Sequence, residues 1–86
     1  MEASRQITRS FFDRLLCLAL DVGEGMLKSG AKIHRVEESI CMICAAYGAA
    51  HVEAFAITSL IVASPRLENG EYSVQIRRVY PILKLI

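Results

Sequence analysis

Residues 29–38, with the sequence SGAKIHRVEE, form a corner from which the fold of the whole chain can be worked out. Gly30 can adopt the left-handed conformation that ends an incoming helix. After this glycine, apolar residues recur at spacings of three and four, which is typical of a helix with one face in a core. That stripe consists of Ile33, Val36, Ile40, Ile43 and Tyr47. The pattern therefore predicts two helices that meet at Gly30, the second ending at Gly48.

The first helix is predicted to run from Ser10 to Lys28, after a polar and irregular segment from Met1 to Thr8. Ser10 is a suitable N-cap because its hydroxyl can accept a backbone N–H of the first turn. Gly23 and Gly25 are costly within a helix, so we expect them to allow close approach of a neighbouring element. The apolar stripe of this helix consists of Phe12, Leu15 or Leu16, Ala19, Val22 or Gly23, Met26 and Leu27.

After Gly48 the helical period gives way to alternation and strand-forming residues, which predicts a sheet. Residues 51–58 and 60–63 are the first two predicted strands, with Thr58 and Ser59 as a turn or bulge between them. Asn69-Gly70 is a strong hairpin signal before a third strand.

The third strand is predicted from Glu71 to Val79. Its apolar residues Tyr72, Val74 and Ile76 are predicted to point inward, and Ser73, Gln75 and Arg77 outward. The expected fold is α+β, with two N-terminal helices packed on one face of a three-stranded antiparallel sheet.

The composition limits the class of protein. A chain of 86 residues forms a single domain, here residues 1–86, with a small core. Because 53% of the residues are hydrophobic, we expect apolar surface to remain after folding and to drive self-association into a homo-oligomer or docking. A net charge of +1 without a basic block argues against nucleic acid as a partner.

Three cysteines and no secretory leader indicate a reducing compartment. Cys41 and Cys44 form a C-x-x-C pair, but the pair lies within a helix, and no second ligand pair is available for zinc. We expect both thiols to pack in the core, and we expect no metal and no cofactor. The apolar stretch 41–64 contains His51 and Glu53, so it is not predicted to span a membrane.

The corner also holds the candidate ligand or coupling residues Arg35, Glu37 and Glu38, together with Arg78 from the third strand. Paired opposite charges could hold an amino acid, with Arg35 or Arg78 on its carboxylate and Glu37 on its ammonium group. Glu37 lies close to the buried stripe, so we expect it to have one of these two arginines as a partner. The alternative is that these charges form only a solvated helix face.

A hydrolase-like site built from Ser29, His34 and Glu37 is the second alternative. The chain lacks a G-x-S-x-G nucleophile elbow and any familiar order of acid, histidine and serine. We therefore expect no catalytic residues and no independent enzymatic activity.

Several segments between Leu15 and Val79 combine into a family pattern. They are LALDVGEGMLKSGA at 18–31, RVEE at 35–38, Gly48, VEAF at 52–55 and RRV at 77–79. Together they resemble the N-terminal cytosolic domain of the threonine/serine exporter family of bacterial membrane proteins. The sequence departs from that family at residues 57–60, where a Thr-Pro-Thr-Gly-like turn is frequent, and at His34, where an aromatic residue is common.

The resemblance implies a role in the export of threonine or serine, through regulation, assembly or ligand sensing. It implies a domain that is soluble by itself and lies at the cytoplasmic face of the bacterial inner membrane. The implied partners are its own C-terminal membrane part or a separate membrane subunit. Apart from Lys84, residues 82–86 are apolar, and we expect the native polypeptide to continue beyond them into membrane segments.

Overall fold

The computed structural model describes the backbone of residues 2–80 and the side chains of residues 10–80. In this part of the chain two helices are followed by three strands: α1 (Glu2–Lys28), α2 (Ile33–Ala46), β1 (His51–Ile57), β2 (Leu60–Arg66) and β3 (Gln75–Arg78). The strands form one antiparallel sheet in the order β1-β2-β3. The predicted α+β architecture is confirmed.

Both helices end at a glycine with a positive φ, 92° for Gly30 and 114° for Gly48. The N–H of Gly30 donates to the carbonyl of Leu27 at 3.1 Å, and the next N–H donates to the carbonyl of Met26 at 2.9 Å. The same pair of bonds recurs at Gly48, whose N–H donates to Ala45. These are Schellman motifs, which satisfy the last carbonyls of each helix. The predicted corner at Gly30 and the end of the second helix at Gly48 are therefore confirmed.

The prediction for the start of the first helix is wrong. α1 begins at Glu2, so Ser10 lies within the helix and is not its N-cap. Several of the first residues, Glu2, Ala3, Arg5 and Gln6, are good helix formers, and a helix propagates easily once it has begun.

The core lies between the two helices and the sheet. α1 contributes Leu16, Ala19 and Leu20, α2 contributes Val36, Ile40 and Cys44, and the strand segments contribute Ala56, Ile61, Ala63 and Val79. Tyr47 was predicted for this stripe but is 60% exposed. A Cβ on Gly23 would lie 2.8 Å from the Cδ1 of Ile40, so the close approach predicted at this glycine is confirmed. A Cβ on Gly25 would meet no atom of another described element within 4 Å, and the same prediction for this glycine is wrong.

The strands differ from the prediction in their lengths and in the face of the sheet on which their side chains lie. β2 continues through the buried Pro65 to Arg66, and β3 covers only residues 75–78 after a turn at Asn69-Gly70. The inward and outward residues of the third strand are reversed. Ile61 and Ala63 point towards the helices, and their partners across the ladder are Arg77 and Gln75. Since residues paired across a ladder share a face, Ile76 points away from the helices.

The sheet therefore has one face covered by the helices and one that no described element covers. We call the second one the open face. Its exposed apolar residues are Phe55, Ile57, Tyr72, Val74, Ile76 and Tyr80, and the partly buried Leu60 and Val62 lie between them. The predicted surplus of apolar surface is thus confirmed. Part of it forms the open face, and part lies elsewhere, as at Leu18 of α1 and Met42 of α2.

Candidate functional site

Glu37 connects α2 to the sheet. Its Oε2 accepts the backbone N–H of Ala56 at 2.9 Å. β1 is an edge strand of the sheet that residues 2–80 form, so within these residues the N–H has no second strand to bind on that side. Within the described residues Glu37 forms no ion pair with Arg35 or Arg78, and the expectation of an arginine partner is wrong. The backbone N–H of Ala56 takes the place of the arginine as the hydrogen-bond donor to this carboxylate.

Arg35 and Glu38 lie on the exposed side of α2. Among the side chains that the structure describes, neither forms an ion pair or a hydrogen bond. Arg35 lines a shallow depression at the corner, together with Lys32 and His34. Both residues are therefore available for contact with another molecule.

Arg78 lies elsewhere. It is on β3, at the opposite edge of the sheet from β1, and its side chain is on the open face. Its guanidinium carbon is 5.5 Å from the centroid of the Tyr80 ring, a cation–π contact. The structure thus places Arg35, Glu37 and Glu38 along one helix but does not bring Arg78 to them, and the four residues do not form a single binding site.

The hydrolase-like arrangement is not supported by the geometry. Ser29 follows the last residue of α1, and His34 is exposed in the first turn of α2. In the described part of the chain no hydrogen bond joins any two of Ser29, His34 and Glu37, and the Glu37 carboxylate is bonded to Ala56. A nucleophile needs a base within hydrogen-bond reach, and the base needs a group that orients it.

The sequence prediction missed a charged network between α1 and β3. The Nη1 of Arg77 lies 2.7 Å from Asp21 and 2.8 Å from Glu24, and Glu24 also binds Lys28 at 3.0 Å. The hydrogen bond from Arg77, followed by that from Lys28, lowers the pKa of Glu24, and Glu24 with Asp21 raises the pKa of Arg77. The acids at helical spacing were visible in the sequence, but Arg77 was placed on the wrong side of its strand.

The cysteines differ in accessibility. Cys44 is buried, Cys41 is partly buried with its thiol 3.8 Å from the carbonyl oxygen of Val52, and Cys17 is exposed. Burial raises the pKa of both Cys41 and Cys44, so the two thiols of the C-x-x-C pair are protonated and weakly nucleophilic at neutral pH. In the described residues no group of three or more histidine, cysteine or acidic side chains is arranged to hold a metal ion.

One comparison with known proteins gives a match. The family model described as "Putative threonine/serine exporter", ThrE, matches residues 17–82. This range includes the Gly30 corner, α2 and all three strands. No curated protein and no solved structure matches the chain. Within residues 2–80, no helix has both the length and the apolar character needed to cross a membrane.

Proposed function

Because the chain belongs to the ThrE family of threonine/serine exporters, we propose that it acts in the export of these amino acids as an assembly domain. In this proposal it is a domain at the cytoplasmic face of the bacterial inner membrane and belongs to a larger exporter. The membrane part is either a later segment of the same polypeptide or a separate subunit. The chain itself contributes protein contacts, not catalysis.

The observation that carries the proposal is the open face. Phe55, Val74 and Ile76 are each more than half exposed there, and they are neighbours on one side of one sheet. Contiguous apolar patches of this kind are uncommon on proteins that act alone and are typical of interaction sites. Burial of such a surface contributes a hydrophobic free energy of about 25 cal/mol for each Å² removed from water, which offsets the entropy cost of association.

The exposed charges of α2 fit the same function. Arg35 and Glu38 have no partners among the described side chains and lie apart from the open face. We propose that they contact the membrane part of the exporter, while the open face holds the domains together. A direct contact with threonine or serine is not favoured by any described pocket, since Arg35 and Arg78 are on different sides of the molecule.

The function is tested by measuring threonine efflux from cells that carry the complete exporter. We expect Ile76→Gln on the open face to reduce efflux while the isolated chain keeps its melting temperature. Met42→Gln is the matched control, because Met42 on α2 is also 65% exposed but lies outside the open face. Equal efflux for the two variants would overturn the proposed function.

The role of Arg35 is tested in the same assay. We expect Arg35→Ala to reduce efflux without a change in melting temperature, because this side chain has no intramolecular partner to lose among the described residues. Normal efflux by Arg35→Ala would show that the charge belongs only to a solvated helix face.

A further inference from the structure

The open face is complementary to itself, and we propose that its partner is a second copy of this chain. This inference rests on the proposed assembly function and names the molecule that the open face binds. The register of the three strands and the two charges that border the apolar centre support it.

The centre of the open face is a row of three apolar residues. Phe55, Val62 and Ile76 are neighbours across β1, β2 and β3. β1 and β3 run in the same direction, because each is antiparallel to β2. The middle residue of the row, Val62, lies on the central strand and is partly buried.

Two opposite charges lie symmetrically about Val62. Glu53 precedes Phe55 by two residues on β1, and Arg78 follows Ile76 by two residues on β3. Both side chains are on the open face, since alternate residues of a strand share a side. Each charge lies on the strand next to that of Val62 and is displaced by two residues along it. Glu53 is displaced towards one end of the sheet and Arg78 towards the other. Val62 therefore lies at the midpoint between the acid and the base.

A two-fold axis that passes over Val62 would pair these charges between two copies of the chain and would form the pair twice. If the axis lies in the interface and is perpendicular to the line from Glu53 to Arg78, Glu53 of each copy faces Arg78 of the other. The same rotation sets Val62 against Val62 and brings Phe55 near Leu60. Such an interface is isologous, which is the commonest form of homodimer contact. The strands of the two copies cross steeply, close to the orthogonal class of sheet packing.

The charges are placed to act as a rim around an apolar centre. The Glu53 side chain is 76% exposed, and among the described side chains its one ion pair is with the exposed His51 at 3.2 Å. Arg78 stacks on Tyr80 at the other end and has no acid partner among the described side chains. The remaining arginine of this face, Arg66, lies two steps beyond Val62 along β2, outside the overlap that the axis defines.

The first test is a charge reversal, read by sedimentation equilibrium of the 86-residue chain. We expect the wild type to dimerise and Arg78→Glu or Glu53→Arg to raise the dimer Kd at least about tenfold, because each change creates two like-charge contacts. The double variant, with both changes, should return Kd to within about threefold of the wild type. Arg66→Glu is the matched control and should leave Kd unchanged.

The second test uses the residue on the axis. In a Cys17→Ser background, which removes the exposed native thiol, Val62→Cys should give a covalent dimer with a short bifunctional thiol reagent, because sheets packed face to face stand about 10 Å apart, too far for a direct disulfide. Ser64→Cys, one step from the axis on the same strand, should be cross-linked much less, because its copies are farther apart. Preferential cross-linking at Ser64→Cys would contradict the geometry.

Three outcomes would overturn the inference. One is a wild-type chain that stays monomeric at high concentration. In that case the open face would be left to another occupant, either residues 81–86 or a membrane subunit. Another is a dimer that the double reversal fails to restore. The third is a dimer weakened equally by Arg66→Glu and Arg78→Glu.

Failure of the inference and failure of the proposed function give different results. If charge reversal abolishes the dimer and threonine efflux is unchanged, the dimer is real and the assembly function is wrong. If Ile76→Gln abolishes efflux and the wild-type chain is a monomer, the open face serves assembly with a different partner.

Discussion

The Glu37 carboxylate accepts the backbone N–H of Ala56 at 2.9 Å, so a side chain of α2 occupies the outer edge of β1. Edge strands present unpaired backbone groups to which other chains can add. A negative side chain bonded at mid-strand satisfies one of these groups and fixes α2 against the sheet. The interaction thereby links the packing of the helix to the protection of the edge.

Removal of this carboxylate should destabilise the fold. We expect Glu37→Ala to lower the free energy of unfolding by about 1–2 kcal/mol, because a partly buried N–H loses a charged acceptor. Glu37→Gln keeps an oxygen acceptor and should lose less. Glu38→Ala is the control, since Glu38 is exposed on the same helix, and urea denaturation of all three variants tests the ranking. Equal stabilities for Glu37→Ala and Glu38→Ala would show that the bond contributes nothing.

The network around Arg77 should make stability depend on pH. The pKa of Glu24 is lowered in the folded chain, so its contribution is complete above the ordinary glutamate pKa of about 4.3 and is lost as pH falls through the lower folded value. We expect Arg77→Met to cost about 1 kcal/mol at neutral pH, as the ion pair is partly exposed. This difference from the wild type should shrink below about pH 4.3.

The matched control for this experiment is Arg66→Met, because Arg66 is exposed and has no ion pair among the described side chains. Its difference from the wild type should be small at every pH. A cost of Arg77→Met that stays constant down to pH 2 would mean that packing of the arginine stem, not its charge, supplies the stability.

Two glycines of α1 should respond differently to alanine. Gly25→Ala should stabilise the chain by about 0.5–1 kcal/mol, because alanine is the better helix former and no other described element lies within 4 Å of the new methyl group. Gly23→Ala should be less stable than Gly25→Ala by about 1 kcal/mol or more, because its methyl group would lie 2.8 Å from Ile40 Cδ1.

A double variant identifies the cause of that difference. Ile40→Val removes Cδ1 and should make Gly23→Ala more favourable than it is in the wild-type background. Thermal or urea unfolding gives all four free energies. An unchanged effect of Gly23→Ala in the two backgrounds would exclude the contact with Ile40 as its origin.

The three thiols should react at different rates with a disulfide reagent. Cys17 is exposed and should react within the mixing time or soon after, whereas Cys44 should react only as the chain unfolds. Burial also raises the pKa of Cys41 and Cys44, which lowers the thiolate fraction at neutral pH. Mass spectrometry of the partly labelled chain assigns each thiol. Early labelling of Cys44 would mean that α2 opens frequently or is packed differently.

The expected structural role of the C-x-x-C pair stays a prediction. Cys41→Ala combined with Cys44→Ala should reduce stability through lost packing. The metal content of the purified chain should not change. Stoichiometric zinc in the wild type that the double variant loses would overturn this expectation.

The amino-acid pattern was sufficient to predict the C-terminal ends of both helices, the class of the fold and the family. Gly30 and Gly48 ended the two helices where predicted, because each adopts a positive φ that other residues rarely accept. The change from helical period to alternation after Gly48 was sufficient to predict strands. The combination of short segments from α1 to β3 was sufficient to identify the family, which the match over residues 17–82 confirms.

Among the candidate site residues, the sequence identified Glu37 as unusual but not its partner. The position of Glu37 next to the buried Val36 could be read from neighbouring residues of the sequence. Its partner, the Ala56 N–H, belongs to β1, which only the folded chain brings to Glu37. Arg78 was grouped with Arg35 because either positive charge could pair with Glu37 or with a ligand carboxylate. The strand order, with β2 between β1 and β3, and the position of Arg78 on the open face separate the two arginines.

The face of the sheet on which each side chain of β3 lies could be learned only from the tertiary structure. Tyr72, Val74 and Ile76 are the apolar set of an alternating strand, and an isolated strand of this kind would be expected to bury them. In the folded chain, the register with β2 puts Arg77 on the helix side, where Asp21 and Glu24 of α1 bind its guanidinium. Both faces of β2 are apolar, so alternation could not choose between them. The acids of α1, distant in sequence, favour the register that leaves the apolar side of β3 on the open face.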